Sequence, residues 1–287
     1  MEFGVTLPQT EIGPDPLVVG EFAAAAESAG FRYLLAYDHV LGADSGSRAD
    51  WKGPYDHEDQ FHEPFVLYGW LAARTKLELV TGVIVLPQRQ TVLVAKQAAQ
   101  IDILTGGKFR LGVGVGWNEV EYESLNENFR NRGRRYEEQV EVMRRLWTND
   151  IVDFTGEFHR IDRAGILPRP IQRPIPIWMG SRTGEAVLRR IGRIADGWIS
   201  NSRVGKGFEE TLAIVRDEAA RHDRTVGIQA TVDITAGIDE MRRQFDALEA
   251  LGVDYVTVNP LGAGLGPEAH VDNVRAVGGA LELHARP

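Results

Sequence analysis

The chain has 287 residues, of which 43% are hydrophobic and 25% are charged, as in ordinary folded globular proteins. Its 32 basic and 41 acidic side chains give a net charge of −9, which disfavours general binding to nucleic acid or to an anionic membrane surface. Because the sequence contains no cysteine, disulfides, thiolate nucleophiles and iron–sulfur clusters are excluded, and any redox chemistry requires a bound organic cofactor.

Eight short apolar segments have the character of strands, and segments with helical spacing lie between them. The predicted strands are Phe3–Leu7, Tyr33–Tyr37, Leu77–Leu86, Phe109–Val115, Ile175–Met179, Gly197–Asn201, Gly227–Ile234 and Asp254–Asn259. Strands that alternate with helices pair in parallel, and eight such units predict one α/β domain closed into a (β/α)8 TIM barrel. An open doubly wound sheet is the competing arrangement.

Three segments depart from this alternation. Residues 41–62, rich in Gly, Asp, Ser and His, follow the second strand and are predicted to form a lid over the barrel mouth. Residues 150–173 are expected to contain an inserted hairpin around the sequence Phe154-Thr-Gly-Glu-Phe158. The glycine-rich loop 262–267 follows the last strand, which places it at the mouth as well.

Asp38 and His39 end the second predicted strand, where strand-end polar residues of a barrel face the active site. Histidine exchanges protons near neutrality, so His39 suits proton transfer or the stabilisation of an anionic cofactor. A loop-capping aspartate followed by a structural histidine explains the same residues, and their position alone leaves both interpretations open.

Glycines alternate along the fourth predicted strand, from Gly112 through Gly116, just before Trp117 and Asn118. The spacing G-x-G-x-G differs from the G-x-G-x-x-G of dinucleotide-binding folds. The missing side chains would make room for a flat ring or a substrate, or would serve only a tightly packed barrel strand. Gly82, inside the third predicted strand, similarly indicates a bulge or a barrel bend.

A turn of small and basic residues, Gly180 to Thr183, follows the fifth predicted strand. Its backbone N–H groups, the hydroxyls of Ser181 and Thr183, the charge of Arg182 and a helix beginning at about Thr183 all favour a phosphate. Ordinary helix capping by either hydroxyl is the alternative. The His- and Asp-rich run 56–63 matches no metal-ligand spacing, so no metal is expected.

Several motifs occur together within residues 1–201. They are the Asp38-His39 strand end, the strand 81–87, the run Leu111-Gly-Val-Gly-Val-Gly-Trp-Asn-Glu-Val-Glu-Tyr122, Arg132-Gly-Arg-Arg-Tyr-Glu-Glu with Leu146-Trp147, the proline-rich segment 168–180, and Ala195-Asp-Gly-Trp198. Together they resemble the luciferase-like monooxygenase family. Within it, the chain is most similar to the shorter members that use the deazaflavin coenzyme F420, rather than to the longer FMN monooxygenases.

The resemblance implies a barrel that holds a flavin-like ring at its mouth, with His39 as the main catalytic residue and Asp38 beside the ring. It also implies a non-prolyl cis bulge at the Gly82–Val83 peptide, which supports the ring, and a phosphate-binding role for residues 180–183. The cofactor contacts that it implies are Asp38, Gly82, Val83, Gly114, Gly116, Trp117, Asn118, Gly180, Ser181, Arg182 and Thr183.

Two positions depart from the family pattern. Val115 stands where several FMN members place an arginine near the phosphate, which favours F420 over FMN. Trp117 stands where some F420 members place a catalytic glutamate, and the nearest acidic substitute as proton donor is Glu119.

We therefore expect an F420-dependent oxidoreductase that transfers a hydride between the deazaflavin and a small organic substrate. The alternatives are a two-component FMN-dependent monooxygenase that uses oxygen, a non-redox isomerase or lyase acting on a phosphorylated metabolite, and a flavin-binding protein without catalysis. Apolar helix stripes favour a homodimer. Because the amino terminus lacks a signal-peptide pattern and no apolar run approaches the roughly 20 residues of a membrane span, we expect a cytoplasmic protein.

Overall fold

A computed structural model describes residues 1–181, 184–202 and 204–285 of the chain. The strands, in chain order, are β1 (Glu2–Thr6), β2 (Tyr33–Ala36), β3 (Glu78–Thr81), β4 (Ile84–Val85), β5 (Phe109–Gly114), β6 (Val152–Thr155), β7 (Arg160–Ala164), β8 (Ile177–Ser181), β9 (Gly197–Ser200), β10 (Gly227–Asp233) and β11 (Tyr255–Asn259). The helices are α1 (Pro16–Ser28), α2 (Pro64–Leu71), α3 (Thr91–Leu104), α4 (Glu119–Ser124), α5 (Arg132–Thr148), α6 (Glu185–Ile194), α7 (Lys206–Arg221), α8 (Ile238–Ala250) and α9 (Pro267–Ala280).

The parallel strands close into a barrel. Neighbouring strands follow the order β3-β2-β1-β11-β10-β9-β8-β5, and pairing of β3 with β5 completes the ring. With β4 continuing β3, the described residues form an eight-stranded parallel barrel surrounded by helices, which confirms the predicted TIM barrel. The open doubly wound sheet is therefore wrong.

The third predicted strand, Leu77–Leu86, is two strands in the structure. β3 pairs with β2 and β5, β4 pairs with β5, and the chain breaks between them at Gly82 and Val83. The β-branched residues on both sides of Gly82 give one continuous apolar run in the sequence, so the break leaves little trace there.

Local sequence signals explain several helix starts. Proline occupies the first turn of α1, α2 and α9, where its missing N–H costs nothing. Asp15, Glu63 and Asn118 cap α1, α2 and α4, each accepting a backbone N–H of the first turn through its side chain. These caps fix where α2 and α4 begin, and both helices lie beside the candidate site.

The amino-terminal end of the barrel is filled by aromatic rings around one buried arginine. The guanidinium of Arg110 lies 4.0 Å from the ring centre of Tyr255 and 4.7 Å from those of Tyr33 and Trp178. Its Nε donates to the Glu78 carboxylate at 2.9 Å. Because Glu78, Tyr33 and Tyr255 begin their strands, this cluster closes the bottom of the barrel and leaves the carboxyl-terminal mouth for chemistry.

Two of the segments that depart from the strand–helix alternation, 150–173 and 41–62, differ in structure. Strands β6 and β7 pair antiparallel within residues 150–173. Residues 41–62 contain a single short 3-10 turn at 45–47 and otherwise irregular backbone.

Across the described residues, no helix has the length and apolar character needed to span a bilayer.

Candidate active site

His39 lies at the barrel mouth, three residues beyond the end of β2. Its side chain is 13% exposed and lines a cavity of about 280 Å³. Aromatic rings surround the imidazole, with centre-to-centre distances of 4.7 Å to Phe61, 5.3 Å to Tyr55 and 5.7 Å to Trp117. The histidine therefore lies between aromatic rings in a partly closed space instead of in open water.

A buried carboxylate that the sequence analysis missed, Glu121, contacts this histidine. Its Oε1 lies 3.3 Å from His39 Nδ1 and accepts the Val40 N–H at 2.9 Å, while Oε2 accepts from Gln88 Nε2 at 3.3 Å. Burial alone would raise the pKa of Glu121, but the hydrogen bonds from His39 and Gln88 outweigh it and lower that pKa below its ordinary value. The site thus holds an ionised carboxylate beside an imidazole.

The position of α4 explains why Glu121, and not Glu119, is the acidic neighbour of His39. The helix begins at Glu119 because the Asn118 side chain accepts the Val120 N–H at 3.1 Å. Successive helical residues are about 100° apart, so Glu119 and Glu121 point to nearly opposite sides. Glu119 is exposed and lines a separate cleft of about 750 Å³ with Trp117, and its role as proton donor stays a prediction.

Asp38 is buried beneath the mouth, with its side chain only 1% exposed. Arg89 binds both carboxylate oxygens, through Nη2 at 2.7 Å and Nε at 3.2 Å, and the Val85 N–H donates to Oδ2 at 3.0 Å. Burial raises the pKa of Asp38, an effect that Arg89 opposes. For Arg89, the carboxylates of Asp38 and Glu63 outweigh burial and raise its pKa, so the guanidinium stays charged.

The break between β3 and β4 places Val83 at the mouth. The Gly82–Val83 peptide is cis, as the family resemblance implied, and the Val83 side chain is partly exposed. A Cβ on Gly114 would lie 2.5 Å from Val83 Cγ2, and one on Gly180 would lie 2.6 Å from Val83 Cγ1. Similarly, a Cβ on Gly116 would lie 2.5 Å from Val85.

These contacts correct the expectation that the glycines leave empty room for a ring. Their missing side chains make room for Val83 and Val85, and the bulge itself presents the apolar surface at the mouth. The glycines thus serve the site indirectly, because they allow the bulge to pack between two strands.

Replacing Gly114 by alanine is expected to lower the free energy of unfolding by about 1–3 kcal/mol, because the new methyl group overlaps Val83. In a Val83→Ala background the obstructing methyl groups are gone, and the cost should fall to a fraction of that value. Urea unfolding of the wild type, of the two single variants and of the double variant measures the coupling between positions 83 and 114.

Gly207→Ala is the matched control, since a Cβ at this position of α7 meets nothing within 4 Å and alanine favours a helix. Equal costs of Gly114→Ala in both backgrounds would contradict the assigned contact.

The predicted phosphate turn lies only partly within the described residues. Gly180 and Ser181 end β8, whereas Arg182 and Thr183 lie outside the described residues. Helix α6 begins at Glu185, with Gly184 at the N-cap position, which is two residues later than the predicted start. Gly184, not Ser181, therefore holds the N-cap position of α6, and the phosphate role of the turn stays a prediction.

Residues 41–62 pack against His39 and Trp117 through aromatic contacts. Trp51 meets Trp117 edge to face at 5.5 Å, and Tyr55 and Phe61 meet at 4.9 Å beside His39. The Ser45 hydroxyl donates to the Asp56 carboxylate, a hydrogen bond that joins the two halves of this segment. Within the described ranges, no three His, Asp or Glu side chains converge as metal ligands would.

The model of the luciferase-like monooxygenase family matches residues 1–278. The chain belongs to this family. Luciferase-like monooxygenases are F420- or flavin-dependent oxidoreductases, so this protein is an enzyme of that class. The family assignment decides against the isomerase or lyase interpretation.

Luciferase-like proteins with both kinds of cofactor are similar to this chain. An uncharacterized protein of Mycobacterium tuberculosis is 36% identical over 212 residues, which cover 69% of this chain and 71% of that protein. The FMNH2-dependent dimethylsulfone monooxygenase of Pseudomonas putida is 27% identical over 248 residues, which cover 85% of this chain and 65% of that one. The structure of the coenzyme F420 dependent tetrahydromethanopterin reductase from Methanopyrus kandleri shares the fold, with a TM-score of 0.76 at 18% identity and 99% coverage of both chains.

Proposed function

We propose that the protein is an F420-dependent oxidoreductase that transfers a hydride between the deazaflavin and a small organic substrate. The observation that carries the proposal is the His39–Glu121 pair at the barrel mouth. Nδ1 of His39 faces the carboxylate, and Nε2 has no hydrogen-bond partner among the residues that the structure describes. A hydride acceptor that leaves as a neutral product also needs a proton, which Nε2 can deliver when the imidazole is doubly protonated and can take up in the reverse direction when it is neutral.

The residues at the mouth fit a flat, ring-shaped cofactor. Val83 offers a partly exposed apolar surface between Gly114 and Gly180, where any larger residue would collide with it. Gly82 and Val83 would lie against the ring, and the turn 180–183 would hold the phosphate. When bound, the cofactor supplies or accepts the hydride, and the protein supplies orientation and proton transfer.

Asp38 has a positioning role in this proposal. Both of its oxygens are engaged by Arg89 and Val85, and its side chain is almost fully buried. Since Val85 belongs to β4, the ion pair holds the bulge strand against the end of β2. Asp38 therefore supports the surface under the ring through Val85.

Enclosure by aromatic side chains supports hydride chemistry at this site. Tyr55, Phe61 and Trp117 surround the imidazole and limit the access of water to it. Two of these residues belong to the segment 41–62, which we propose acts as a lid over the mouth. Excluding water protects a reactive hydride donor from side reactions.

The competing function is an FMN-dependent, oxygen-using monooxygenase. The similarity to the dimethylsulfone monooxygenase of Pseudomonas putida over 85% of this chain favours it. Against it, Val115 packs partly buried against the hydrophobic core and supplies no charge for an FMN phosphate. The choice between the two cofactors is therefore the first property to test.

Parallel fluorescence titrations of the purified protein with F420 and with FMN test the proposal. We expect the protein to quench F420 fluorescence in a saturable way. The dissociation constant for F420 should be at least about tenfold lower than that for FMN, which corresponds to about 1.4 kcal/mol in binding free energy. Tight binding of FMN together with no change in F420 fluorescence would favour the monooxygenase instead. Binding without turnover of any carbonyl, alcohol or enone compound would point to a flavin-binding protein.

A further inference from the structure

We infer that Glu121 positions His39, holding its imidazole in the tautomer protonated on Nδ1 so that Nε2 is left to exchange protons at the mouth. The inference rests on the proposed function only for the use of Nε2, because the tautomer follows from contacts within the chain. The two residues are 82 positions apart, and the contact joins α4 to the loop after β2.

Hydrogen-bond donors surround the Glu121 carboxylate. Oε1 faces His39 Nδ1 at 3.3 Å and the N–H groups of Val40 and Leu41 at 2.9 and 3.4 Å, and Oε2 faces Gln88 Nε2 at 3.3 Å. The side chain is only 1% exposed. So many donors favour the ionised form, which has no proton to give. The hydrogen of the contact with His39 must then reside on Nδ1.

Among the described residues, no other charged group contacts the imidazole: Asp56 and Asp59 line the same cavity but bind groups within residues 45–59. Glu121 contacts His39 through a hydrogen bond and pairs with no lysine or arginine in the part of the chain that the structure describes. On its other sides the imidazole meets Phe61, Trp117 and Tyr55. Burial raises the pKa of Tyr55, so this phenol stays neutral near pH 7. Among the described residues, Glu121 is thus the contacting neighbour that can select a tautomer.

A purely structural role, anchoring the loop after β2, is the alternative. Glu121 receives the N–H groups of Val40 and Leu41, so its loss could disturb the loop. Glu121→Gln separates the two roles, because the amide oxygen still accepts from the backbone while the charge is lost. A charged acceptor forms a stronger hydrogen bond than a neutral one, so the preference for Nδ1–H should weaken.

Nitrogen-15 NMR of the full chain with labelled histidine tests the inference, and the His39→Asn spectrum assigns the His39 signals among the seven histidines. We expect neutral His39 to be protonated on Nδ1 in the wild type and to exchange between both tautomers in Glu121→Gln. The kcat of Glu121→Gln should fall about 10–100-fold with little change in KM. Glu123→Gln, with the same loss of charge on the exposed side of α4, should match the wild type.

Two results would overturn the inference, namely wild-type His39 protonated on Nε2, or an unchanged tautomer in a folded Glu121→Gln. The wild-type spectrum decides the first of these even if the variant fails to fold, and it requires no cofactor. A changed tautomer with an unchanged kcat would support the positioning and would contradict the proton-transfer role of His39 in the proposed function.

Discussion

His39→Asn is expected to lower kcat for F420-dependent turnover by about 10²–10⁴-fold, the usual contribution of a positioned acid or base. Asparagine can still donate a hydrogen bond toward Glu121 from a position close to that of Nδ1, but it has no group in place of Nε2. The measurement is the oxidation rate of reduced F420 with whichever small ketone, aldehyde or enone the wild type reduces. The affinity for F420, from fluorescence titration, should change by less than about threefold, because Val83 and the turn 180–183 are intact.

His222→Asn provides the control, since this exposed histidine lies at the C-cap of α7 and, among the described residues, its side chain pairs only with Glu218 of that helix. It should behave as the wild type in both measurements. A His39→Asn enzyme with nearly wild-type kcat would remove His39 from the chemistry and would leave the proposed proton transfer without a donor in the described site. A loss confined to F420 affinity would make His39 a binding residue instead.

The barrel could be predicted because its signal is repeated. Strands such as β1 and β11 are short apolar runs flanked by helical spacing, and eight such units leave few topologies. The break in the third strand was harder to see, since Thr81, Val83 and Ile84 all favour extended backbone. Gly82 was the one local signal, and it indicated a bulge without giving its length.

The site could be predicted only where the chain order itself places the residues. His39 lies three residues beyond β2, so the carboxyl-terminal mouth is its expected position. Glu121 contacts His39, which is 82 residues away in the sequence. Arg89 contacts Asp38, which is 51 residues away. Which glutamate of the run 119–123 turns inward depends on the first residue of α4, and boundaries are the least certain part of a sequence-based assignment. The asparagine cap at 118, read together with the 100° helical step, was the signal that could have selected Glu121.

The largest effect on stability is expected from Arg89→Met, at about 3–5 kcal/mol in the free energy of unfolding. Arg89 is the guanidinium that binds both oxygens of the buried Asp38 carboxylate, and methionine leaves that charge with the Val85 N–H alone. Urea unfolding monitored by tryptophan fluorescence measures the loss. Arg275→Met removes an exposed pair with Asp272 on one helix and should cost no more than about 1 kcal/mol, as surface ion pairs do.

Adding Asp38→Asn to Arg89→Met separates the charge from the packing. If the cost of Arg89→Met comes mainly from an uncompensated buried carboxylate, the double variant should recover a large part of it, because the asparagine side chain is neutral and can still accept the Val85 N–H. A double variant no more stable than Arg89→Met would mean that the lost stability lies in the packing of the arginine stem. In that case the ion pair would not be what holds β4 against the end of β2, and the position of Val83 at the mouth would depend on the glycines alone.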